Sequence, residues 1–326
     1  MTEKERILDK IEKDNSRAVL FSESFGGSEN QLRFLFKYVP DEHFVGINLI
    51  LNNANPDLID RDKINILWMQ HFVNQQEAKN LGLKEFVDQL DYIVFNSHWN
   101  FEKFQYQFKI PENKSIVIKN AIEKVEYKEK IKDKINLIYH STPWRGLELL
   151  LEVFKKINLK DVELNICSST SIYGKKFSQT HNDKYQHIFD ECKKMKNVNY
   201  YGFMQNDKII NLLKEMHICS FPSIWPETSC ISAIESMAAG CQMVTTNLGA
   251  LYETCAHFGT FVSFDRNLDN LEKKYKKTLA DSIENYWSET NQKKLKLQSE
   301  TINTTYSWNI RKKEWKNFLD EARKVK

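Results

Sequence analysis

The sequence predicts an α/β protein with two doubly wound domains, each a parallel sheet with helices on both faces, and with the two sheets facing across a cleft. Short apolar runs alternate with amphipathic runs along most of the chain, which is typical of repeated strand–helix units. The alternation stops once, at the charged segment 123–134, and then starts again. The length of 326 residues is also about twice that of an ordinary domain.

The first half of the chain predicts a Rossmann-like domain at residues 1–122. Its strand-like runs, in order, are "RAVLFSES" at 17–24, "FVGINLIL" at 44–51, "INILWMQH" at 64–71, "LDYIVFNS" at 90–97 and "SIVIKN" at 115–120. Its helical runs are "SENQLRFLFKYV" at 28–39 and "HWNFEKFQYQF" at 98–108. Because strands and helices alternate, the strands are expected to run parallel.

The second half predicts a similar domain at residues 135–304, after a linker at 123–134. Its strand-like runs are "INLIYHS" at 135–141, "VELNICSS" at 162–169, "NVNYYGF" at 197–203, "HICSFPS" at 217–223 and "QMVTT" at 242–246. The intervening helical runs are "GLELLLEVFKKI" at 146–157, "KYQHIFDECKKM" at 184–195, "NDKIINLLKEM" at 206–216 and "CISAIESMAAG" at 230–240. Only helical patterns follow residue 264, and the last spaces Trp308, Trp315 and Phe318 along one apolar seam.

The composition excludes several classes of partner. The net charge is only +3, and the lysine runs are interleaved with acids and aromatics, so they indicate solvated helix faces rather than a nucleic-acid site. The charged N-terminus and the lack of a long apolar run predict a cytoplasmic protein without a signal peptide or membrane span. The six cysteines show no zinc-type spacing and are expected to be small buried residues.

The stretch "SIWPETSCISAIESMAAG" at 223–240 carries two glutamates after a predicted strand, where open parallel sheets bind ligands. Pro226 marks a loop, and Thr228 or Ser229 is predicted to cap the following helix. The backbone N–H groups at residues 229–231, namely Ser229, Cys230 and Ile231, would then form an anion site at the helix N-terminus.

The two glutamates, Glu227 and Glu235, suit hydroxyl groups rather than the anion itself. Glu227 beside an anion site can accept hydrogen bonds from hydroxyls attached to a phosphate, and Glu235 lies further along the helix. A nucleotide sugar is long enough to contact both, with the sugar before the helix and the ribose along its side. A solvated Glu227 and a Glu235 paired with a lysine remain the structural alternatives.

The segment "FPSIWPETSCISAIESMAAGCQMVTTNLGALYE" at 221–253 resembles the signature of retaining glycosyltransferases of family four, which have the GT-B fold. That signature has two glutamates separated by seven residues, then small residues, a strand and a glycine-rich turn with an acid. The matching positions are Glu227, Glu235, Gly240, Gly249 and Glu253. The form "PETSCI" resembles a subgroup found among cell-surface polysaccharide enzymes.

Other segments resemble the same family. In "HSTPWRGLELLLEVF" at 140–154, Arg145 stands where the family has lysine and is suited to a diphosphate, while His140 replaces a second arginine. The loop with Gly26 and Gly27 resembles one near the donor phosphate and the acceptor, and its glycines allow positive φ or close backbone approach. There are three further matches. His71 stands where the family often has a histidine in the cleft, and Asn120 matches an Asn-Gly pair in which Ala121 replaces the glycine. The C-terminal helix 305–326 resembles the family helix that returns to the first domain.

The resemblance implies a retaining, metal-independent transferase without a cofactor. Its partners would be a nucleotide-diphosphate sugar and a glycan or lipid-linked acceptor, and the analogy extends to polysaccharide synthesis and a peripheral place at the inner membrane face. Glu227 and His71 would be catalytic. Donor binding would fall to Arg145, His140, Glu235, Thr228, Ser229, Cys230, Ile231, Gly26 and Gly27. The acceptor proton would pass to the leaving phosphate, so catalysis would depend on positioning and charge stabilisation.

Several other classes are weighed against this interpretation. A metal-dependent GT-A enzyme would need Asp-x-Asp after a strand, whereas Asp60 and Asp62 precede one. A hydrolase elbow, a Walker loop and a Gly-x-Gly-x-x-Gly motif are absent from the sequence. A nucleotide-sugar epimerase of GT-B fold and a non-catalytic binding subunit remain open as alternatives.

Overall fold

The computed structural model describes residues 2, 4–7, 26–157, 160–173 and 175–325, without the side chains of 172–183 and 325. The chain divides into two compact units. Unit 1 comprises Met1–Ala121 and Tyr306–Lys326, and unit 2 comprises Ile122–Thr305. The predicted strand "RAVLFSES" at 17–24 lies outside the described residues.

Unit 1 contains a parallel sheet in the order β1-β2-β3-β4. Its strands are β1 (Ile47–Leu51), β2 (Ile64–Met69), β3 (Tyr92–Phe95) and β4 (Ser115–Val117). The helices that accompany them are α1 (Gly27–Tyr38), α2 (Lys84–Val87) and α3 (His98–Phe108). Strands β1 and β2 are buried along their whole length, as expected of a sheet covered on both faces.

The C-terminal helix α11 (Trp308–Val325) packs into the core of unit 1. Trp308 and Trp315 are buried there, and Phe318 packs against the same core. The rings of Trp315 and Trp68 lie 4.8 Å apart in an edge-on arrangement. The predicted apolar seam is therefore what attaches the end of the chain to the first unit.

Unit 2 contains a parallel sheet in the order β10-β9-β8-β5-β6-β7. The strands are β5 (Ile135–Tyr139), β6 (Val162–Ile166), β7 (Val198–Tyr200), β8 (Ile218–Phe221), β9 (Gln242–Thr246) and β10 (Thr260–Val262). The helices are α4 (Leu147–Lys155), α5 (Lys175–Lys194), α6 (Asn206–Leu213), α7 (Ile231–Ala238), α8 (Leu251–Cys255), α9 (Leu268–Glu284) and α10 (Glu289–Thr305).

The strand order of unit 2 reverses between β5 and β8. The chain builds outward from β5 through β6 to β7, then returns to place β8 on the other side of β5. At such a reversal the connections leave toward opposite sides, which opens a crevice at the carboxyl ends of the two strands. The loops after β5 and β8 are therefore the places to look for a binding site.

The structure confirms the predicted two-domain, Rossmann-like α/β fold. Sequence periodicity missed the short elements α2, α8 and β10, each of five residues or fewer. The segment 123–134 belongs to unit 2, where Lys130 Nζ donates to the carbonyls of Leu213, Lys214 and Ala239.

All six cysteines are free and buried, as predicted. None of the described helices has the length and apolar character needed to cross a membrane.

Candidate active site

The loops at the strand reversal of unit 2 bring together most of the residues selected from the sequence. His140 directly follows β5, Arg145 ends the short 3₁₀ turn Pro143–Arg145, and Glu227 lies in the loop after β8. The segment Thr228–Ile231 leads from that loop into α7, which carries Glu235. The predicted donor residues of the second domain therefore share one edge of one sheet.

The loop after β5 is held against the loop after β8 by glycine. Gly146 adopts a φ of 118°, and a Cβ at this position would lie 2.2 Å from the carbonyl oxygen of Pro222. Tyr139 Oη also donates to the carbonyl of Thr142 at 2.7 Å, which secures the turn from inside. No other residue type fits both the conformation and the space, so Gly146 sets the position of its neighbour Arg145.

Arg145 and Glu227 form an ion pair across these two loops. Arg145 Nη1 donates to both carboxylate oxygens of Glu227. The Glu227 side chain is 3% exposed and that of Arg145 is 25% exposed. A carboxylate so deeply buried needs a cation or several donors, and the guanidinium meets that need. This pairing of Arg145 with Glu227 was not predicted from the sequence.

The backbone of Glu227 is fixed by the turn at Gly249. Ala250 N donates to the carbonyl of Glu227 at 2.6 Å. Gly249 has a φ of 71°, and a Cβ there would lie 2.4 Å from that same carbonyl oxygen. The glycine-rich turn noted in the sequence thus allows close backbone approach, and it holds the Glu227 loop in place.

Helix α7 does not begin as predicted. Its N-cap is Cys230, in the left-handed conformation with a φ of 55°, and no side chain caps the helix. The prediction that Thr228 or Ser229 caps this helix is wrong, because the chain turns sharply at Cys230 instead. The carbonyl of Ser229 accepts a hydrogen bond from Thr254 Oγ1 at 2.6 Å. Of the three predicted backbone donors, only Ile231 belongs to the helix.

His140 is present at the site but is not a cation there. It is buried, and its Nε2 lies 2.7 Å from Ser236 Oγ. Burial lowers the pKa of His140 to about 4, since a charged imidazole would lose its hydration. Above that pH the ring is neutral, so it can offer a hydrogen bond to a ligand but no charge.

Glu235 is buried on α7 with a neutral partner. Its side-chain oxygen Oε1 accepts a hydrogen bond at 2.8 Å from Nδ2 of Asn206, the first residue of α6. Burial raises the pKa of Glu235 to about 7, and the bond from Asn206 acts in the opposite direction. The partner of Glu235 is thus this asparagine, and not the lysine of the alternative interpretation. Asn206 lies in another helix, and sequence reasoning missed it.

In unit 1, neither of the predicted glycines, Gly26 and Gly27, has a positive φ. Gly26 is the N-cap of α1 with a φ of −60°, and its carbonyl accepts from Asn30 N at 3.1 Å. Gly27 opens the helix itself. His71 follows β2, and its Nδ1 lies 3.8 Å from Glu77 Oε2. Its predicted role stays a prediction.

The Asp60–Asp62 pair occupies a turn before β2. Asp60 Oδ1 accepts from the backbone N–H of Asp62 at 3.2 Å, which is an Asx turn. Lys63 Nζ lies 3.9 Å from the other oxygen of Asp60. Within the described parts of the chain, histidine, cysteine and carboxylate side chains do not cluster in threes as a metal site would require.

Solved structures that are similar to this fold include glycosyltransferases of the GT-B type. A glycosyltransferase from Rickettsia africae matches with a TM-score of 0.65 and 16% identity over 96% of this chain and 84% of that one. Anabaena HepE in complex with UDP-glucose matches with a TM-score of 0.61 and 14% identity over 79% and 72%. Sucrose-phosphate synthase from Thermosynechococcus elongatus matches with a TM-score of 0.61 and 15% identity over 80% and 68%.

The family model "Glycosyl transferases group 1" matches residues 119–294, which include the whole Arg145, Glu227 and Glu235 site. This chain belongs to that family. No curated protein matches the sequence.

Proposed function

We propose that this family member is a retaining glycosyltransferase that moves a sugar from a nucleoside-diphosphate sugar to a glycan or lipid-linked acceptor, in surface polysaccharide or glycoconjugate synthesis. The observation that carries the proposal is the ion pair of Arg145 and Glu227 at the strand reversal of unit 2. A guanidinium beside a helix N-terminus suits a diphosphate, and a buried carboxylate next to it suits sugar hydroxyls.

In this proposal the diphosphate binds to Arg145 and to the N–H groups at the start of α7. The first N–H groups of any helix lack partners inside it, and the helix dipole favours an anion there. The diphosphate would compete with Glu227 for the guanidinium. Donor binding would thereby turn the Glu227 carboxylate toward the sugar.

His140 has a smaller role in the proposal than the resemblance implied. As a neutral ring it would add one hydrogen bond to the donor, and Ser236 fixes its orientation. The positive charge at the site would come from Arg145 and the helix. These groups can neutralise a leaving diphosphate, so we propose that transfer needs no divalent metal ion.

The proposed retaining mechanism uses front-face attack, with the leaving phosphate accepting the proton of the acceptor hydroxyl. Arg145 binds both oxygens of Glu227 in the ligand-free site, and in this proposal the released carboxylate orients the sugar rather than acting as a nucleophile. On the acceptor side, Gly26, Gly27 and His71 of unit 1 stay assigned by resemblance alone.

A donor screen tests the proposal. Purified protein is incubated with labelled UDP- and GDP-sugars, and thermal unfolding is followed in parallel. A true donor at 100 times its Kd should stabilise the protein by about 2.7 kcal/mol. Slow hydrolysis or transfer supports a transferase. Interconversion of the sugar would indicate an epimerase, and a bound but unchanged donor would indicate a binding subunit.

The role of Arg145 is tested with the same donor. Arg145→Ala should reduce turnover more than Arg145→Lys, because lysine keeps the charge but loses the planar fork. Arg61→Ala, which removes an exposed arginine from a turn of unit 1, is the matched control and should keep parental turnover. Equal turnover in both Arg145 variants and the parent would contradict the phosphate-binding role.

A further inference from the structure

The hydrogen bond between Asn206 and Glu235 joins an exposed residue to a deeply buried one. Asn206 begins α6 and is exposed, whereas Glu235 lies within α7 with 7% of its surface accessible. Nδ2 of the asparagine lies 2.8 Å from Oε1 of the glutamate. The bond therefore links a carboxylate with little solvent contact to a residue at the surface.

This contact does not serve the helix that carries Asn206. An asparagine at a helix start usually accepts a bond from the backbone of its own first turn. Here the N-cap of α6 is Gln205, no side chain caps the helix, and Asn206 uses its amide to donate to another element. The bond is thus directed at the glutamate.

A single donor on a buried carboxylate has a specific geometric consequence. The last torsion of a glutamate is broad, so an untethered carboxylate samples many orientations. A donor that holds one oxygen fixes the plane of the group and the direction of its other lone pairs. Pre-ordering a binding group in this way reduces the entropy lost when a ligand binds.

The bond from Asn206 also affects the charge state of Glu235. Burial raises the pKa of Glu235 to about 7, so the group is close to losing its charge at neutral pH. The bond from Asn206 acts against that rise. An ionised carboxylate is the stronger acceptor for hydroxyl groups, so Asn206 favours the form that binds them.

We propose that Asn206 is a positioning residue for nucleotide recognition, which holds one oxygen of Glu235 so that the carboxylate accepts hydrogen bonds from the ribose hydroxyls of the donor. The inference rests on the proposed function, in which Glu235 contacts the ribose. Asn206 itself need not touch the ligand.

Discrimination between ribose and deoxyribose measures this role directly. The Kd values of UDP, GDP, ADP and CDP, each beside its 2′-deoxy form, are determined by calorimetry for the parent. The ratio for the best binder is then compared with that of Glu235→Ala, Asn206→Ala and the double variant. Loss of a hydrogen bond to a charged group should reduce the ratio by about 10-fold or more.

The expected result is a ratio near 1 in Glu235→Ala, a large reduction in Asn206→Ala, and no further change in the double variant. If Glu235→Ala loses discrimination but Asn206→Ala keeps it, the inference is overturned and the proposed function stands. If Glu235→Ala keeps the parental ratio, or if no nucleoside diphosphate binds, the ribose assignment and this inference fail together.

Two further variants separate positioning from a general effect on α6. Asn206→Asp keeps the size and places a favourable charge at a helix N-terminus, yet it cannot donate to a carboxylate. Its carboxylate would also repel that of Glu235, so the variant should lose discrimination, and thermal unfolding checks that it is folded. Asn211→Ala, an exposed asparagine on the same helix, is the matched control and should keep the parental ratio. Parental discrimination in Asn206→Asp would also overturn the inference.

Discussion

The carboxyl ends of the two sheets carry different chemistry in the same fold. In unit 1 the residues that directly follow β1, β2 and β3 are buried amides, Asn52, Gln70 and Asn96. In unit 2 the corresponding edge buries ionisable groups, among them Glu227 and Glu235. Topology alone therefore does not decide what an edge can bind.

The difference lies in how each edge satisfies its polar groups. In unit 1, Asn52 Oδ1 accepts from the backbone of Gln70 at 2.6 Å, and Asn100 Nδ2 donates to Asn96 Oδ1 at 3.2 Å. Neutral amides bond to one another and to the backbone at little cost. Buried carboxylates are stable only with a suitable partner, which makes the unit 2 edge sensitive to any charged or hydroxylated ligand.

The largest expected effect comes from neutralising Glu227. Glu227→Gln keeps the shape but removes the charge that pairs with Arg145 and orients the sugar. Transfer should fall by about 100-fold or more, while binding of the nucleoside diphosphate should be kept or strengthened, because Arg145 loses the carboxylate that competes with the diphosphate. Initial rates and calorimetry measure the two quantities. Glu148→Gln on α4, whose side chain is 67% exposed, is the control. Full turnover in Glu227→Gln would show that transfer does not need a carboxylate at the unit 2 edge, and the two sheet edges would then not differ in function on this ground.

A second prediction concerns the pH dependence of stability. The carboxyl of Glu235 has a pKa of about 7 in the folded protein against an ordinary 4.5. As pH rises from about 4.5 to 7, the unfolded chain releases this proton first, so Glu235 costs folded-state stability across that window. Glu235→Gln removes the cost, and its advantage over the parent should reach on the order of 3 kcal/mol at pH 8.

Urea unfolding of both proteins at pH 5, 6, 7 and 8 measures this advantage. His140 has a lowered pKa and contributes with the opposite sign, but it is present in both proteins and so cancels in the difference. If the difference in unfolding free energy stays constant with pH, Glu235 is ionised throughout this range in both states. Burial would then not raise the pKa of Glu235, and the prediction would be wrong.

A third prediction tests the buried amides of the unit 1 edge as structural residues that do not bind the donor. Asn100 is fully buried and donates to the carbonyl of His71 at 3.3 Å as well as to Asn96. Asn100→Ala should cost about 1–3 kcal/mol of stability and leave the Kd of the nucleoside diphosphate unchanged. Chemical denaturation and calorimetry are the measurements, with the exposed Asn113→Ala as control. A weakened Kd in Asn100→Ala alone would show that the amide edge contributes to donor binding.

The smallest expected effect is that of removing metal. Because Arg145 and the start of α7 would neutralise the leaving phosphate, initial rates should survive dialysis against excess EDTA. The double variant Asp60→Ala and Asp62→Ala should also keep its activity, since Asp60 serves a turn. Complete loss with EDTA, restored by manganese, would contradict the proposed phosphate site.

The sequence predicted the regular elements well because their causes are local. Alternating apolar and amphipathic runs mark strands and helices, and the residues that follow β5 and β8 could be selected from that pattern alone. The partner of Arg145 could not be predicted in this way. Glu227 lies 82 positions away, and only the strand order, with β8 beside β5, brings them together.

The start of α7 shows a different limit. Thr228 and Ser229 are strong capping residues, and propensity favoured them. The structure places Cys230 at the cap in a left-handed conformation that costs free energy for any residue with a side chain. Surrounding contacts, such as Thr254 on the Ser229 carbonyl, impose that turn. The raised pKa of Glu235 likewise depends on burial, which spacing along the chain does not report.

The two glycine contacts at the strand reversal have a consequence for protein engineering. Gly146 touches the backbone at Pro222, and Gly249 touches the backbone of Glu227, without room for a single methyl group at either point. The three loops after β5, β8 and β9 therefore form one interlocked module. A chimera that exchanges the loop after β5 or β9 with a relative would carry a mismatched surface at one contact, and one that exchanges the loop after β8 would carry it at both. Donor specificity should be transplantable only when all three loops are moved together.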